Sequence, residues 1–213
     1  MPSDKSRFLR VGVTGGIGSG KSALCNAFRE KGRLVLSADM IAHEISDTDE
    51  DVKRKIRAVF GVDAYLPDGR LDRKKMADSV FGHPALRKRL NAIIHPRVTE
   101  AINDRLGAIP QPKGEPYIII EAALIYESGM DKELDYTIVI DAPEEDRIGR
   151  VMARDGCTRD QVLRRIEAQL PVESKLKRAD FVIHNDGRED DLKEKAAFLD
   201  TVLCAMRNPT CSS

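Results

Sequence analysis

The segment Val11-Gly-Val-Thr-Gly-Gly-Ile-Gly-Ser-Gly-Lys21-Ser22 constrains the fold more than any other stretch of the 213 residues. Gly15-x-x-x-x-Gly20-Lys21-Ser22 fills every fixed position of a phosphate-binding loop. The apolar run from Phe8 to Val13 precedes it, and Leu24 and Phe28 follow at helical spacing, so the context reads strand, loop, helix. Glycines let backbone N–H groups curl around a β-phosphate, and the helix N-terminus adds partial positive charge. Lys21 can then reach the β- and γ-phosphates, while the Ser22 hydroxyl can ligate Mg²⁺. A plain glycine-rich turn has no use for the terminal Lys-Ser pair.

With 41% hydrophobic residues the chain can bury a substantial core, as one domain with subdomains. Its 35 basic residues balance 35 acidic ones, so no general field favours nucleic acid or an anionic membrane. Any polyanion contact is local. The longest apolar stretches are strand-length, and Met1 to Arg10 lacks the apolar core of a signal peptide, which leads to the expectation of a soluble, cytoplasmic protein without nucleic-acid or membrane partners. Cys25, Cys157, Cys204 and Cys211 lack zinc or redox spacing and read as ordinary reduced thiols, with Cys25 on the apolar side of the first helix.

Strands are expected at Leu9 to Thr14, Leu34 to Ser37, Tyr117 to Glu121, Thr137 to Asp141 and Phe181 to His184, with helical patterning between them. Runs such as Tyr-Ile-Ile-Ile are continuous rather than alternating, as in parallel strands buried on both faces. This is a three-layer α/β pattern. The first helix ends near Gly32, and the last runs from about Glu189 to Met206 with Leu192, Ala196, Leu199, Leu203 and Met206 along one stripe.

Two insertions interrupt the alternation. From about Ile41 to Ile109 the chain carries helical segments and no convincing strand, including Val52-x-x-x-Ile56, Leu86-x-x-x-Leu90-x-x-Ile93-Ile94 and the following His95-Pro96. Gly107 to Pro116, with three prolines and two glycines, reads as a connecting loop. Between Arg147 and Arg178 there are nine Arg or Lys residues against four Asp or Glu, and Thr158-Arg-Asp-Gln161 is a capping box opening a helix with apolar Val162, Ile166 and Leu170. That basic segment is either a solvated helix pair or, in a nucleotide-binding chain, a lid facing phosphate.

A phosphate loop alone does not identify the acceptor. Asp39 follows the second strand, at the carboxyl edge of the sheet where open α/β folds bind ligands, and there it could take a proton from an attacking hydroxyl or cap a helix at Met40. Glu121 closes the third strand where a carboxylate steadying Mg²⁺ is expected. Glu127 faces the acceptor or solvates a turn, and His95 is a packed or capped residue or a functional one.

These residues together resemble the dephospho-coenzyme A kinase family over nearly the whole chain. The resemblance rests on Thr14 to Ser22, Ala38-Asp39-Met-Ile-Ala42, Leu90-Asn-Ala-Ile-Ile-His95-Pro96, Leu124-Ile-Tyr-Glu127, Arg164-Arg-Ile-Glu-Ala-Gln169, Ala179-Asp180 and Asn185. It implies ATP-dependent phosphorylation of the ribose 3′-hydroxyl of dephospho-coenzyme A, with ATP and Mg²⁺. The implied fold is a P-loop NTPase three-layer α/β fold with a five-stranded parallel sheet, a helical substrate subdomain and a helical lid. One kinase domain would then span 1–213, its core at about 7–40, 116–146 and 180–208, the substrate-binding insertion at about 41–110 and the lid at about 147–179.

By the same resemblance Gly15, Gly16, Ile17, Gly18, Ser19, Gly20, Lys21 and Ser22 contact the nucleotide, and Ser22 and Glu121 the metal. Asp39 is the catalytic base, Lys21 and Arg154 act on the phosphates, and Asp39, His95, Leu124 and Glu127 line the acceptor pocket. Two departures stand out: the usual Asp-Ala-Asp is Ser37-Ala38-Asp39, and the usual Asp-x-Pro-Leu-Leu is Glu121-Ala-Ala-Leu-Ile125. The runner-up is a P-loop kinase of another small acceptor, such as a nucleoside monophosphate or a sugar acid, which should lack His95-Pro96 and Arg164 to Gln169. A regulatory GTPase should carry Asn-Lys-x-Asp, which this sequence does not contain. A non-catalytic nucleotide-binding protein would tolerate loss of Lys21 or Asp39.

Overall fold

A computed structural model describes residues 8–109, 116–187 and 189–207. Five strands, β1 (Leu9–Gly15), β2 (Val35–Ser37), β3 (Tyr117–Glu121), β4 (Tyr136–Asp141) and β5 (Phe181–His184), form one sheet in the order β2-β3-β1-β4-β5. Every pairing is parallel. Parallel neighbours need long crossovers, which explains the helical patterning between the strands. β3 is buried along its whole length, as its unbroken apolar run requires. From central β1 the chain builds first toward β2 and β3 and later toward β4 and β5, so the crevice such sheets offer to ligands opens at the carboxyl end of β1.

Two compact units divide the chain, one of residues 1–37 and 111–213, the other of residues 38–110. In the first, α1 (Lys21–Glu30) buries Leu24, Cys25, Ala27 and Phe28, and α10 (Glu189–Arg207) buries Leu192, Ala196, Leu199 and Leu203 in the same cluster with Val11, Val13, Ile119, Ile138 and Ile140. Each fully buried side chain of this size contributes about 1.5–3 kcal/mol. Met206, expected on the α10 stripe, is instead 38% exposed, because the stripe runs out one turn before the helix does. The core also fixes Cys25, whose thiol is pushed well above its ordinary range by burial, with the Glu121 charge adding to the effect. Among the described residues Cys25, Cys157 and Cys204 take part in no disulfide, and Cys211 lies outside them.

The second unit contains α2 (Ala38–Thr48), α3 (Glu50–Phe60), α4 (Arg73–Val80) and α5 (Pro84–Ala108). Asp49 caps α3 by accepting from the N–H groups of Asp51 and Val52, and Arg97 of α5 bonds the same carboxylate at 2.8 Å. Ile41, Val52, Ile56, Val98, Ile102 and Leu106 are among its buried apolar residues. His95-Pro96, expected to follow an apolar helical segment, lies inside α5. Proline removes one N–H, and a 25-residue helix with buried Val98, Ile102 and Leu106 beyond it absorbs that loss. The helix likewise continues through Gly107 and Ala108; of the loop expected from there to Pro116, residues 110–115 lie outside the described residues.

In the first unit the basic segment folds as α7 (Glu144–Asp155), α8 (Arg159–Glu167) and α9 (Val172–Leu176), after the short α6 (Ile125–Ser128). The Thr158/Gln161 capping box forms with both of its reciprocal hydrogen bonds. Leu170 lies three residues past the end of α8. Among the described residues no helix is long and apolar enough to cross a membrane.

Candidate active site

The phosphate loop leaves β1 and enters α1 through Gly20, whose φ of 102° lies in the left-handed region that glycine occupies without strain. No side chain caps α1 and no acidic residue stands in its first turn, so its orphan N–H donors and dipole remain directed at an anion site. The Lys21 ammonium donates to the Gly15 carbonyl at 3.3 Å, folded back across the loop. Ser22 Oγ donates to Glu121 Oε1 at 3.0 Å. Thus the loop hydroxyl and the carboxylate closing β3, expected to act on one metal, are in contact.

Parallel register explains the meeting. Val13 pairs with Glu121, and Ser37, the last residue of β2, pairs with Glu121 on its other side. Asp39 follows Ser37 by two residues, as an exposed carboxylate in the first turn of α2. An acidic side chain there also complements the helix dipole. A hydroxyl and a carboxylate oxygen are hard donors of the kind Mg²⁺ takes, and Mg²⁺ commonly uses one or two carboxylates with waters and phosphate oxygens. Among the described residues there is no cluster of three or more His, Cys, Asp or Glu that could hold a metal, and the Ser22–Glu121 pair does not need one.

Several groups that brace the loop were absent from the candidate residues drawn from the sequence. Arg147, only 5% exposed, lies so close to the loop that a Cβ on Gly16 would stand 2.2 Å from its guanidinium; its Nε is buried without a partner. Asn185 Nδ2 donates to the Ser19 carbonyl at 2.8 Å, and Arg150 donates to the carbonyls of Gly18 and Asn185. Ile17 donates its N–H to Gln169 Oε1 at 3.0 Å and packs its side chain beside Ile148, Val151 and Val162. The sequence signals available were the basic run starting at Arg147 and the family segments holding Gln169 and Asn185. Nothing in sequence singled out Lys175.

Glu127, in α6, is held by two partners. Its Oε1 accepts from the Leu170 N–H at 2.8 Å and pairs with the Lys175 ammonium at 2.9 Å, and Lys175 is wholly buried. Leu124, just before α6, is half-buried, and His95 is half-buried in α5 of the other unit. Arg154 sits seven residues beyond Arg147 on α7, about 10 Å along the axis. Its side chain is 65% exposed and bonds Asp155 at 2.7 Å, which also pairs with Arg165 at 2.6 Å. Those two arginines hold the Asp155 carboxyl well below its ordinary 3.8, at about 2, the Arg154 hydrogen bond being the larger influence.

Comparison with known proteins gives the family. The model of the family described as dephospho-CoA kinase matches residues 9–191. The dephospho-CoA kinase of Salinibacter ruber is 41% identical over 189 residues, covering 89% of this chain and 94% of that protein. The Chlorobium luteolum enzyme is 40% identical over 210 residues, covering 95% of each. Among solved structures, TT1252 from Thermus thermophilus superposes with a TM-score of 0.76 at 35% identity, covering 92% of this chain and 98% of that one. Shikimate kinase from Bacteroides thetaiotaomicron, at 14% identity and a TM-score of 0.51, shares the fold alone. With its loop, its Ser22–Glu121 pair and relatives matched almost end to end, the chain belongs to the dephospho-CoA kinase family.

Proposed function

We propose that the protein transfers the γ-phosphoryl group of ATP to the ribose 3′-hydroxyl of dephospho-coenzyme A, giving coenzyme A and ADP, the final step of coenzyme A biosynthesis. The structural observation that carries the reading is the Ser22–Glu121 contact beside an uncapped helix N-terminus, a donor set for a metal-bound triphosphate. The acceptor follows from the activity named for its relatives. A cytoplasmic setting goes with that reading.

Phosphoryl transfer demands alignment and charge neutralisation more than covalent chemistry. The loop residues Gly15 to Ser22 cradle the β-phosphate with backbone N–H groups, and Lys21 exchanges its Gly15 carbonyl for phosphate oxygens. Arg147 adds a nearly buried positive charge against the loop. Ser22 and Glu121 would hold Mg²⁺, which when bound neutralises charge on the transferring group. Asp39 orients the 3′-hydroxyl and accepts its proton as the new O–P bond forms. His95, Leu124 and Glu127 shape the acceptor side. Arg154 reaches the phosphates by leaving Asp155 as the lid closes and excludes water.

An acceptor panel tests the reading. With ATP and Mg²⁺, a coupled assay should show turnover with dephospho-coenzyme A and at least a hundredfold less with nucleoside monophosphates, shikimate or gluconate, in line with a site built around specific acceptor groups (roughly 10²-fold or more). Comparable turnover with one of the other acceptors would replace the proposed substrate.

A further inference from the structure

The hydrogen bonds around the lid's return segment close into a ring. Thr14 Oγ1, one residue before the loop, donates to the Ala123 carbonyl at 3.3 Å, and the same carbonyl accepts from the Lys175 ammonium at 3.2 Å. Lys175 pairs with Glu127 Oε1 at 2.9 Å, and that oxygen accepts from the Leu170 N–H at 2.8 Å. The adjacent residue, Gln169, accepts from the Ile17 N–H at 3.0 Å, returning to the phosphate loop. Both ends of the ring therefore lie within four residues of the same strand-to-loop segment.

Physical chemistry makes each link costly to leave open. Burying an ammonium is costly unless acceptors satisfy it, and Lys175 has two, one from the turn after Glu121 and one from α6. Gln169 holds a backbone N–H in a loop whose function is to aim N–H groups, so its oxygen sets the loop's orientation without consuming a phosphate-facing side chain. Ile17 is held a second time by its side chain, among Ile148, Val151 and Val162 of the lid helices. Lid and loop are thereby one mechanical piece at this point.

We propose that Gln169 and the buried Lys175–Glu127 pair are positioning residues for phosphoryl transfer, a hydrogen-bonded ring that fixes the phosphate loop relative to the turn carrying Ala123 and Glu127. The proposal rests on the kinase reading above for its kinetic consequence and on geometry alone for its structural one. Misplacing the loop by a fraction of an ångström slows chemistry more than it weakens binding. Gln169→Met, close in shape but with no acceptor, should lower kcat about tenfold while KM for each substrate moves by less than about twofold.

The deciding measurement is hydrogen exchange of the Ile17 amide, followed by NMR on the full chain without substrate. Exchange should quicken about tenfold in Gln169→Met and recover in Gln169→Glu, which keeps an accepting oxygen. It should also quicken in the double variant Lys175→Met/Glu127→Gln, which touches the ring only on its far side and leaves no buried charge unpaired. Ile17 exchange unchanged in the double variant would overturn the ring, and unchanged exchange in Gln169→Met would overturn the role of Gln169. Loss of kcat matched by loss of melting temperature, with Ile17 exchange as in the unaltered protein, would reduce these residues to general stabilisers. Failure of the kinase reading would appear separately, as no transfer to dephospho-coenzyme A by the unaltered protein.

Discussion

Asp39 has the most to do in the proposed transfer and the least support from neighbours in sequence, since an acidic residue opening a helix also serves the helix dipole. The two roles differ in magnitude. Removing a general base costs about 10²–10⁴ in rate, whereas a lost helix-end interaction costs about 1 kcal/mol of stability. Asp39→Asn should therefore bind ATP normally and melt within a few degrees of the unaltered protein, yet transfer at least a hundredfold more slowly in single turnover. Full transfer with only a lowered melting temperature would make Asp39 structural. At Glu121 the expectation is different in kind: Glu121→Gln keeps the bond from Ser22 but weakens the metal site, so half-saturating Mg²⁺ in the rate assay should rise on the order of tenfold. An unmoved Mg²⁺ dependence would take Glu121 out of the metal site. Lys21, Ser22 and Glu121 were legible because fixed spacing and strand ends define them. The roles of Gln169 and Lys175 were not, because they arise from distant partners, Ala123 lying 52 residues from Lys175 and Ile17 lying 152 from Gln169.

At the scale of elements, the basic segment is neutralised, largely by acidic residues flanking it, to a degree its charge count conceals. Arg159 pairs with Glu145, Arg165 and Arg154 with Asp155, Arg178 with Asp131 and Lys175 with Glu127. Asp155 is the joint between α7 and α8. Its folded pKa is lowered from 3.8 to about 2, so the stability it contributes is present above about pH 3.8 and is lost as pH falls through about 2. Asp155→Asn should flatten the fall in melting temperature across that window, and the difference from the unaltered protein should shrink in about 1 M salt, because these partners are partly exposed. An identical acid profile for the two proteins would show that the arginines do not discriminate its charge. The five strands and the capping box were readable from pattern, since each depends on residues a few positions apart. Pro96 sits inside α5 because proline's helix-breaking tendency is local, while the burial of Val98, Ile102 and Leu106 that overrides it is not.

At the scale of the molecule, a balanced net charge leaves recognition to local groups, and those described here concentrate at the carboxyl end of β1. Gly15 to Ser22, Glu121, Arg147, Gln169 and Asn185 come from five separate stretches of chain and converge through one parallel sheet order and the helices between its strands. The helical unit of residues 38–110 carries Asp39 and His95. The claim uniting these scales is transfer to one particular hydroxyl. Single-turnover reaction with γ-labelled ATP, Mg²⁺ and either dephospho-coenzyme A or its 3′-deoxy analogue tests it most directly. Label should move to the first acceptor to give coenzyme A and should not move to the second; label on the 3′-deoxy analogue, or none on dephospho-coenzyme A, would contradict it.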